Sequence, residues 1–117
     1  MPNLKIYHNP NCSKSRETLG LLKDRNLEIE IIEYLETPPT AEELDRLCQG
    51  LGKAPTELIR AKEDLFDELN LSLDDDRSRQ EWCQLLIQHP ILIERPIVAN
   101  KDQVALGRPP EQVLDIL

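Results

Sequence analysis

A short alternating run, Leu4-Lys5-Ile6-Tyr7, ends at His8-Asn9-Pro10-Asn11, and a helical pattern begins directly after Cys12. Alternation reads as a strand, and an Asn-Pro cluster breaks regular structure. From Ser13 to about Arg25, Thr18, Leu19 and Leu22 fall on one helical face. A strand that turns this abruptly into a helix leaves Cys12 at the helix start. The first amides of a helix have no partner inside it and favour an anion. A thiol at such a place ionises more readily, and the thiolate is the nucleophile. The sequence therefore predicts a depressed pKa for Cys12, with His8, Lys14 and Arg16 adding positive potential nearby. Ser13 and Ser15 suit a helix start. Ser15 is also placed to hydrogen-bond the thiolate.

The rest of the chain supplies a fold around this junction. Glu28 to Tyr34, with Ile29, Ile31 and Ile32, reads as a second strand. Thr37-Pro38-Pro39-Thr40 breaks the chain, and Thr40 with Glu43 forms a capping-box pattern for a helix from Ala41 to about Leu51. Gly50 and Gly52 end it. Helical stretches follow at Pro55–Arg60, about Lys62–Leu69 and about Asp76–Gln88. His89, ahead of Pro90, reads as a C-terminal cap. Ile97-Val98-Ala99 and Gln103-Val104-Ala105-Leu106 read as strands around an Asn100-Lys101-Asp102 turn. A last helix, Glu111–Leu117, opens after Pro109-Pro110.

The order is β-α-β, a helical block, then β-β-α. This is the α/β, thioredoxin-like plan: a small mixed sheet with a helical insertion, about residues 40–89, between its two halves. One domain over residues 1–117 is expected. In that plan Arg95-Pro96, just before a strand, occupies the position of a cis-proline, and a cis bond is expected there.

Composition narrows the function classes. The formal charge is -8, and no basic run offers a surface for nucleic acid or anionic lipid. No apolar stretch is long enough for a membrane span, and Met1-Pro2-Asn3-Leu4-Lys5 is unlike a signal peptide. A cytoplasmic location is expected. Three widely spaced cysteines, Cys12, Cys48 and Cys83, suit reduced thiols rather than a disulfide frame. Cys48 and Cys83 lie beside core leucines in amphipathic helices and read as core residues. Cys12, among Asn9, Pro10, Asn11 and Ser13, is poorly placed for core packing.

Several thiol chemistries fall on residue identity. A thioredoxin would carry a second cysteine at position 15, where Ser15 stands. A phosphatase-type loop would carry arginine at position 18, where Thr18 stands. No Cys or His pair has zinc-ligand spacing, and no glycine-rich phosphate loop is present.

Ile6-Tyr7-His8-Asn9-Pro10 followed by Cys12-Ser13-Lys14-Ser15-Arg16 closely resembles the N-terminal motif of the glutathione- and glutaredoxin-coupled arsenate reductases. The blocks Tyr34-Leu35-Glu36-Thr37-Pro38-Pro39, His89-Pro90, Glu94-Arg95-Pro96-Ile97-Val98 and Gly107-Arg108-Pro109 follow in family order. The resemblance spans almost the whole chain and is closest to the short branch of the family. It implies that Cys12 attacks arsenate and forms a thiol-arsenate adduct. Arg60, Arg95 and Arg108 would hold the oxyanion; Ser15 joins them as a candidate binding residue through its own place beside Cys12. His8 would assist activation of the cysteine. Glutathione is the implied co-substrate and glutaredoxin the implied protein partner, with no bound cofactor or metal.

Guanidinium groups suit this task, because they neutralise oxyanion charge through forked hydrogen bonds and favour a neighbouring thiolate. Without the resemblance, each arginine reads as a solvated surface charge. Two other readings share the fold. One is a redox-linked transcription regulator similar to the Spx proteins, which bind RNA polymerase. Those proteins commonly carry Cys-x-x-Cys at the Cys12–Ser15 position and tend to lack an arginine matching Arg108. The other is a glutathione-dependent thiol reductase with a different substrate.

Overall fold

The computed structural model describes residues 4–117. The first three residues of the Met1–Lys5 start lie outside the described residues. Those described form two compact units. One holds the chain up to Thr37 and from Arg95 to Leu117, and the other is Pro38–Glu94.

The first unit is built on a four-stranded sheet. Its strands are β1 (Leu4–His8), β2 (Ile29–Glu33), β3 (Ile97–Asn100) and β4 (Gln103–Leu106), in spatial order β2-β1-β3-β4. β1 runs parallel to β2, with Ile6 opposite Ile31 and His8 opposite Glu33. It runs antiparallel to β3, with Ile6 opposite Val98 and Tyr7 opposite Ile97. β3 and β4 form an antiparallel hairpin with Asn100 paired to Gln103. Lys101 takes a left-handed φ of 57° in its turn, as tight hairpins require.

Helix α1 (Ser13–Asp24) connects β1 to β2, the crossover that a parallel pair needs. Leu4, Ile6, Leu22, Val98 and Val113 make one buried cluster, joined at its rim by Leu19, Ile29, Ala105 and Ile116. Burying one such leucine or isoleucine contributes about 2 kcal/mol, so this cluster anchors α1 to the sheet. Mixed pairing, a β-α-β half and a β-β-α half make this fold thioredoxin-like.

The second unit is helical: α2 (Ala41–Leu51), α3 (Asp64–Glu68) and α4 (Arg79–Gln88), with 3-10 turns at Pro55–Leu58 and Pro90–Leu92. Thr40 Oγ1 accepts from the Glu43 amide at 3.1 Å and caps α2. Gly52 closes it at a left-handed φ of 68°, a conformation in which a side chain would be strained. Leu44, Leu47 and Cys48 of α2, with Trp82, Cys83 and Leu86 of α4, are buried.

Some boundaries differ from the expected ones. The helices expected at Pro55–Arg60 and Glu111–Leu117 are 3-10 structure, at Pro55–Leu58 and Pro110–Ile116. Both begin at prolines, which lack the amide donor and suit short turns. α4 starts at Arg79 rather than Asp76 because Ser78 and Glu81 cap each other reciprocally, at 3.1 Å in both directions. α3 is shorter than Lys62–Leu69, and β2 is shorter than Glu28–Tyr34. The Arg95-Pro96 bond is cis, as expected, and Arg108-Pro109 is also cis, which was not. No helix among the described residues is long and apolar enough to cross a membrane.

Candidate active site

The site grows from the end of the central strand. β1 delivers His8 and stops, and the chain folds back on itself within four residues. Asn9 makes the turn: its carbonyl accepts from the Cys12 amide and its Oδ1 from the Asn11 amide, both at 3.0 Å. Arg16 braces the loop from the helix by donating to the Pro10 carbonyl at 2.9 Å. Cys12 is the N-cap of α1 in extended conformation, and its carbonyl accepts from the Arg16 amide at 3.0 Å. Its side chain makes no capping bond of the usual kind. The backbone N–H groups of Ser15 and Lys14 nevertheless favour its thiolate.

Two guanidinium groups converge on this sulfur. The Arg95 side chain hydrogen-bonds it. Arg108 places Nη2 at 3.8 Å from Cys12 Sγ, while its Nε donates to the Arg95 carbonyl at 2.7 Å. Burial acts on the thiol most strongly and opposes ionisation. The Ser15 amide, the Arg95 side chain and charge, and the Lys14 amide together outweigh it, so the Cys12 pKa lies below its ordinary value.

The cations expected from sequence act differently. Lys14 helps through its backbone, while its ammonium pairs with Glu17 at 3.8 Å on the surface. His8 is buried, and burial is the chief reason its pKa lies below the usual value, ahead of Glu33, which opposes the shift. The neutral imidazole is therefore favoured more than in an ordinary histidine, which lessens the positive potential expected of it. Its Nδ1 lies 2.6 Å from Ser15 Oγ, and that oxygen accepts from the Asn9 amide at 3.0 Å. The Ser15 hydroxyl thus joins His8 and Asn9 together, and its service to Cys12 comes from the main chain. Asn9, a loop breaker in sequence terms, is buried at the centre of this arrangement. The Asn-Pro-Asn pattern was its signal.

Arg60 belongs to the second unit. An isolated bridge between Ile59 and Ile93 brings its chain segment beside Glu94. Its Nε donates to Glu63 at 3.0 Å and its Nη1 to Glu94 at 2.9 Å. The first unit therefore brings together Cys12, His8, Ser15, Arg95 and Arg108. Cys48 and Cys83 are buried in the second unit. Burial first, then the neighbouring Cys83, pushes the Cys48 thiol up to about 12, and burial raises Cys83 as well. No cluster of His, Cys, Asp or Glu suited to a metal ion occurs among the described residues.

A thiol favoured as thiolate, beside two guanidinium groups and the amides of a helix start, can attack an electrophile that carries negative oxygens. The ArsC family model matches residues 7–116. A solved arsenate reductase from Vibrio cholerae is 51% identical, with a TM-score of 0.90 over 97% of each chain. The arsenate reductase of Neisseria meningitidis serogroup A is 42% identical over the full length of both chains. The uncharacterized protein YfgD of Escherichia coli K12 is 51% identical, over 97% of this chain and 96% of its own. Matched along nearly its whole length by the family model and by these relatives, the chain belongs to the ArsC family.

Proposed function

We propose that this protein reduces arsenate to arsenite, with Cys12 as the nucleophile. The observation that carries the reading is the convergence of Arg95 and Arg108 on one ionisable thiol at a helix start. Arsenate is an anion at neutral pH, so a thiolate approaching it meets repulsion. Guanidinium groups offset that repulsion and hold the oxygens where the sulfur can reach arsenic. The relatives named arsenate reductase support the choice of substrate.

The chemistry balances with two external thiols. Cys12 sulfur bonds to arsenic, and one arsenate oxygen leaves as water. Glutathione sulfur then attacks Cys12 sulfur, the sulfur–arsenic bond breaks, and its electron pair stays on arsenic, which leaves as arsenite. Cys12 is left as a mixed disulfide with glutathione. A glutaredoxin thiol takes the glutathione and restores the Cys12 thiol. The two electrons gained by arsenic come from these two thiols. An external route fits the serine at position 15 and the buried, weakly acidic Cys48 and Cys83.

Arg95 and Arg108 are proposed to bind the oxyanion. His8 and Ser15 position the loop and helix start from which the Cys12 amide partners project. The family resemblance, rather than the geometry of either unit, carries the role of Arg60. An arginine beside Cys12 and a serine at position 15 favour the enzyme over a regulator of the Spx type. The test is arsenite formation with glutathione and glutaredoxin. The wild-type protein should produce arsenite, and the Cys12→Ser protein should not. Wild-type protein without arsenate turnover but with glutathione-dependent reduction of other disulfides would favour a thiol reductase instead.

A further inference from the structure

Gly107 sits where no side chain fits. It is buried between α1 and the Arg95-Pro96 segment, and its amide donates to the Pro96 carbonyl at 3.0 Å. A Cβ added there would collide with Thr18 Oγ1 and lie only 2.6 Å from Pro96 Cγ and 3.1 Å from Thr18 Cγ2. The backbone at Gly107 is not left-handed, since Gly52 is the glycine with positive φ. The requirement for glycine here is therefore space, not conformation.

Thr18 cannot give way cheaply. It is fully buried on the second turn of α1, and its Oγ1 donates to the Lys14 carbonyl at 2.8 Å. Lys14 is one of the two residues whose amides face the Cys12 sulfur. On the other side, Pro96 follows Arg95, and Arg108 follows Gly107 in the chain. Both guanidinium groups that meet Cys12 thus hang from two hydrogen-bonded segments, Arg95-Pro96 and Gly107-Arg108, that lie against α1 at Thr18.

We propose that Gly107 and Thr18 form a spacing contact that holds Arg95 and Arg108 against Cys12, making both positioning residues for the thiol. The inference rests on Cys12 as the reacting group. Its test reads thiol reactivity without arsenate, so it stands or falls apart from the choice of substrate.

The experiment measures alkylation of Cys12 by iodoacetamide against pH, with the modified residue identified by mass mapping and the fold followed by far-UV circular dichroism. The variants are Gly107→Ala, Thr18→Ala and the double variant. Gly107→Ala should wedge the arginine segment away from α1. The midpoint of the Cys12 profile should rise, and alkylation at pH 7 should fall on the order of three- to tenfold. Thr18→Ala removes the two Thr18 atoms and leaves Pro96 Cγ at 2.6 Å, so the double variant should return only part of the way toward the Thr18→Ala profile. A folded Gly107→Ala protein with an unchanged profile overturns the proposal, as does an equal shift in both backgrounds. If Gly107→Ala alone fails to fold, the double variant decides. Recovery of the fold, with alkylation at pH 7 closer to the Thr18→Ala protein than the full fall expected of Gly107→Ala, supports the spacing contact. Failure to fold with the Thr18 atoms gone, or a fall as large as that expected of Gly107→Ala, lays the obstruction on Pro96 and contradicts it.

Discussion

Arg108 Nε donates to the backbone carbonyl of Arg95 at 2.7 Å. This bond fixes the guanidinium from one side and leaves Nη2 turned toward Cys12 Sγ, at 3.8 Å. One arginine is thereby oriented by the main chain of another, and both serve the same sulfur.

Removing the Arg108 side chain should leave the fold and weaken the chemistry. Arg108 is half-buried at the rim of the first unit, and loss of one carbonyl bond costs about 1 kcal/mol. Arg108→Ala should therefore keep its melting temperature within a few degrees while arsenate turnover falls on the order of 100-fold. Steady-state kinetics beside thermal unfolding checks this. Unchanged turnover would remove Arg108 from the site.

The His8–Ser15 contact predicts both a stability cost and a pH response. Ser15→Ala leaves the Asn9 amide and His8 Nδ1 without the oxygen they share. Unpaired buried groups cost about 1–3 kcal/mol, which denaturant unfolding will register. Because the His8 pKa is lowered in the fold, the unfolded chain takes up that proton more readily. Native stability should accordingly decline as pH falls below the ordinary histidine value of 6.5. The decline should be shallower in His8→Gln. Identical slopes would mean that His8 is not held neutral.

Cys48 predicts the opposite limb. Its thiol is pushed up to about 12 by burial and by Cys83. The native state therefore resists its ionisation, while the unfolded chain ionises near the ordinary value of 9.0. Stability from this group is full below that value and is lost as pH rises from there toward 12. Asp45 and Arg79 face the same thiol and act in opposite senses. Cys48→Ala should lower stability at pH 7, since it opens a cavity, yet lose less of what remains between pH 9 and pH 11. Glutathione-dependent arsenate turnover should survive in this variant. A folded but inactive Cys48→Ala protein would point to an internal thiol relay.

Much of the first unit was legible because its signals are local. Alternation marked β1, an Asn-Pro break ended it, and the helical pattern after Cys12 placed the thiol at an N-terminus. The same logic anticipated the direction of the Cys12 shift. Its causes were less legible. Lys14 and Arg16 follow Cys12 in the chain, and proximity in sequence suggested that their charges act on it. A side chain's direction depends on packing, and these two turn to Glu17 and to the Pro10 carbonyl. The cations that meet Cys12 are Arg95 and Arg108, eighty-three and ninety-six positions away, and the pairing of β3 with β1 brings the Arg95 segment in. No periodicity or spacing could reveal that, and only the family resemblance named it. His8 illustrates a second limit. A histidine beside a cysteine suggests charge, but burial decides whether the charge exists. Gly107 illustrates a third, because a glycine near a proline reads as a turn until the atoms around it are known.

The most direct measurement of the proposed chemistry is the arsenate dependence of a glutathione disulfide on Cys12. Protein with all three thiols reduced is incubated with glutathione, with and without arsenate, and without glutaredoxin. Mass mapping then locates any glutathione. The proposed cycle predicts one glutathione on Cys12, formed only when arsenate is present and removed by adding glutaredoxin. Glutathione found on Cys48 or Cys83, or on Cys12 to the same extent without arsenate, would contradict it.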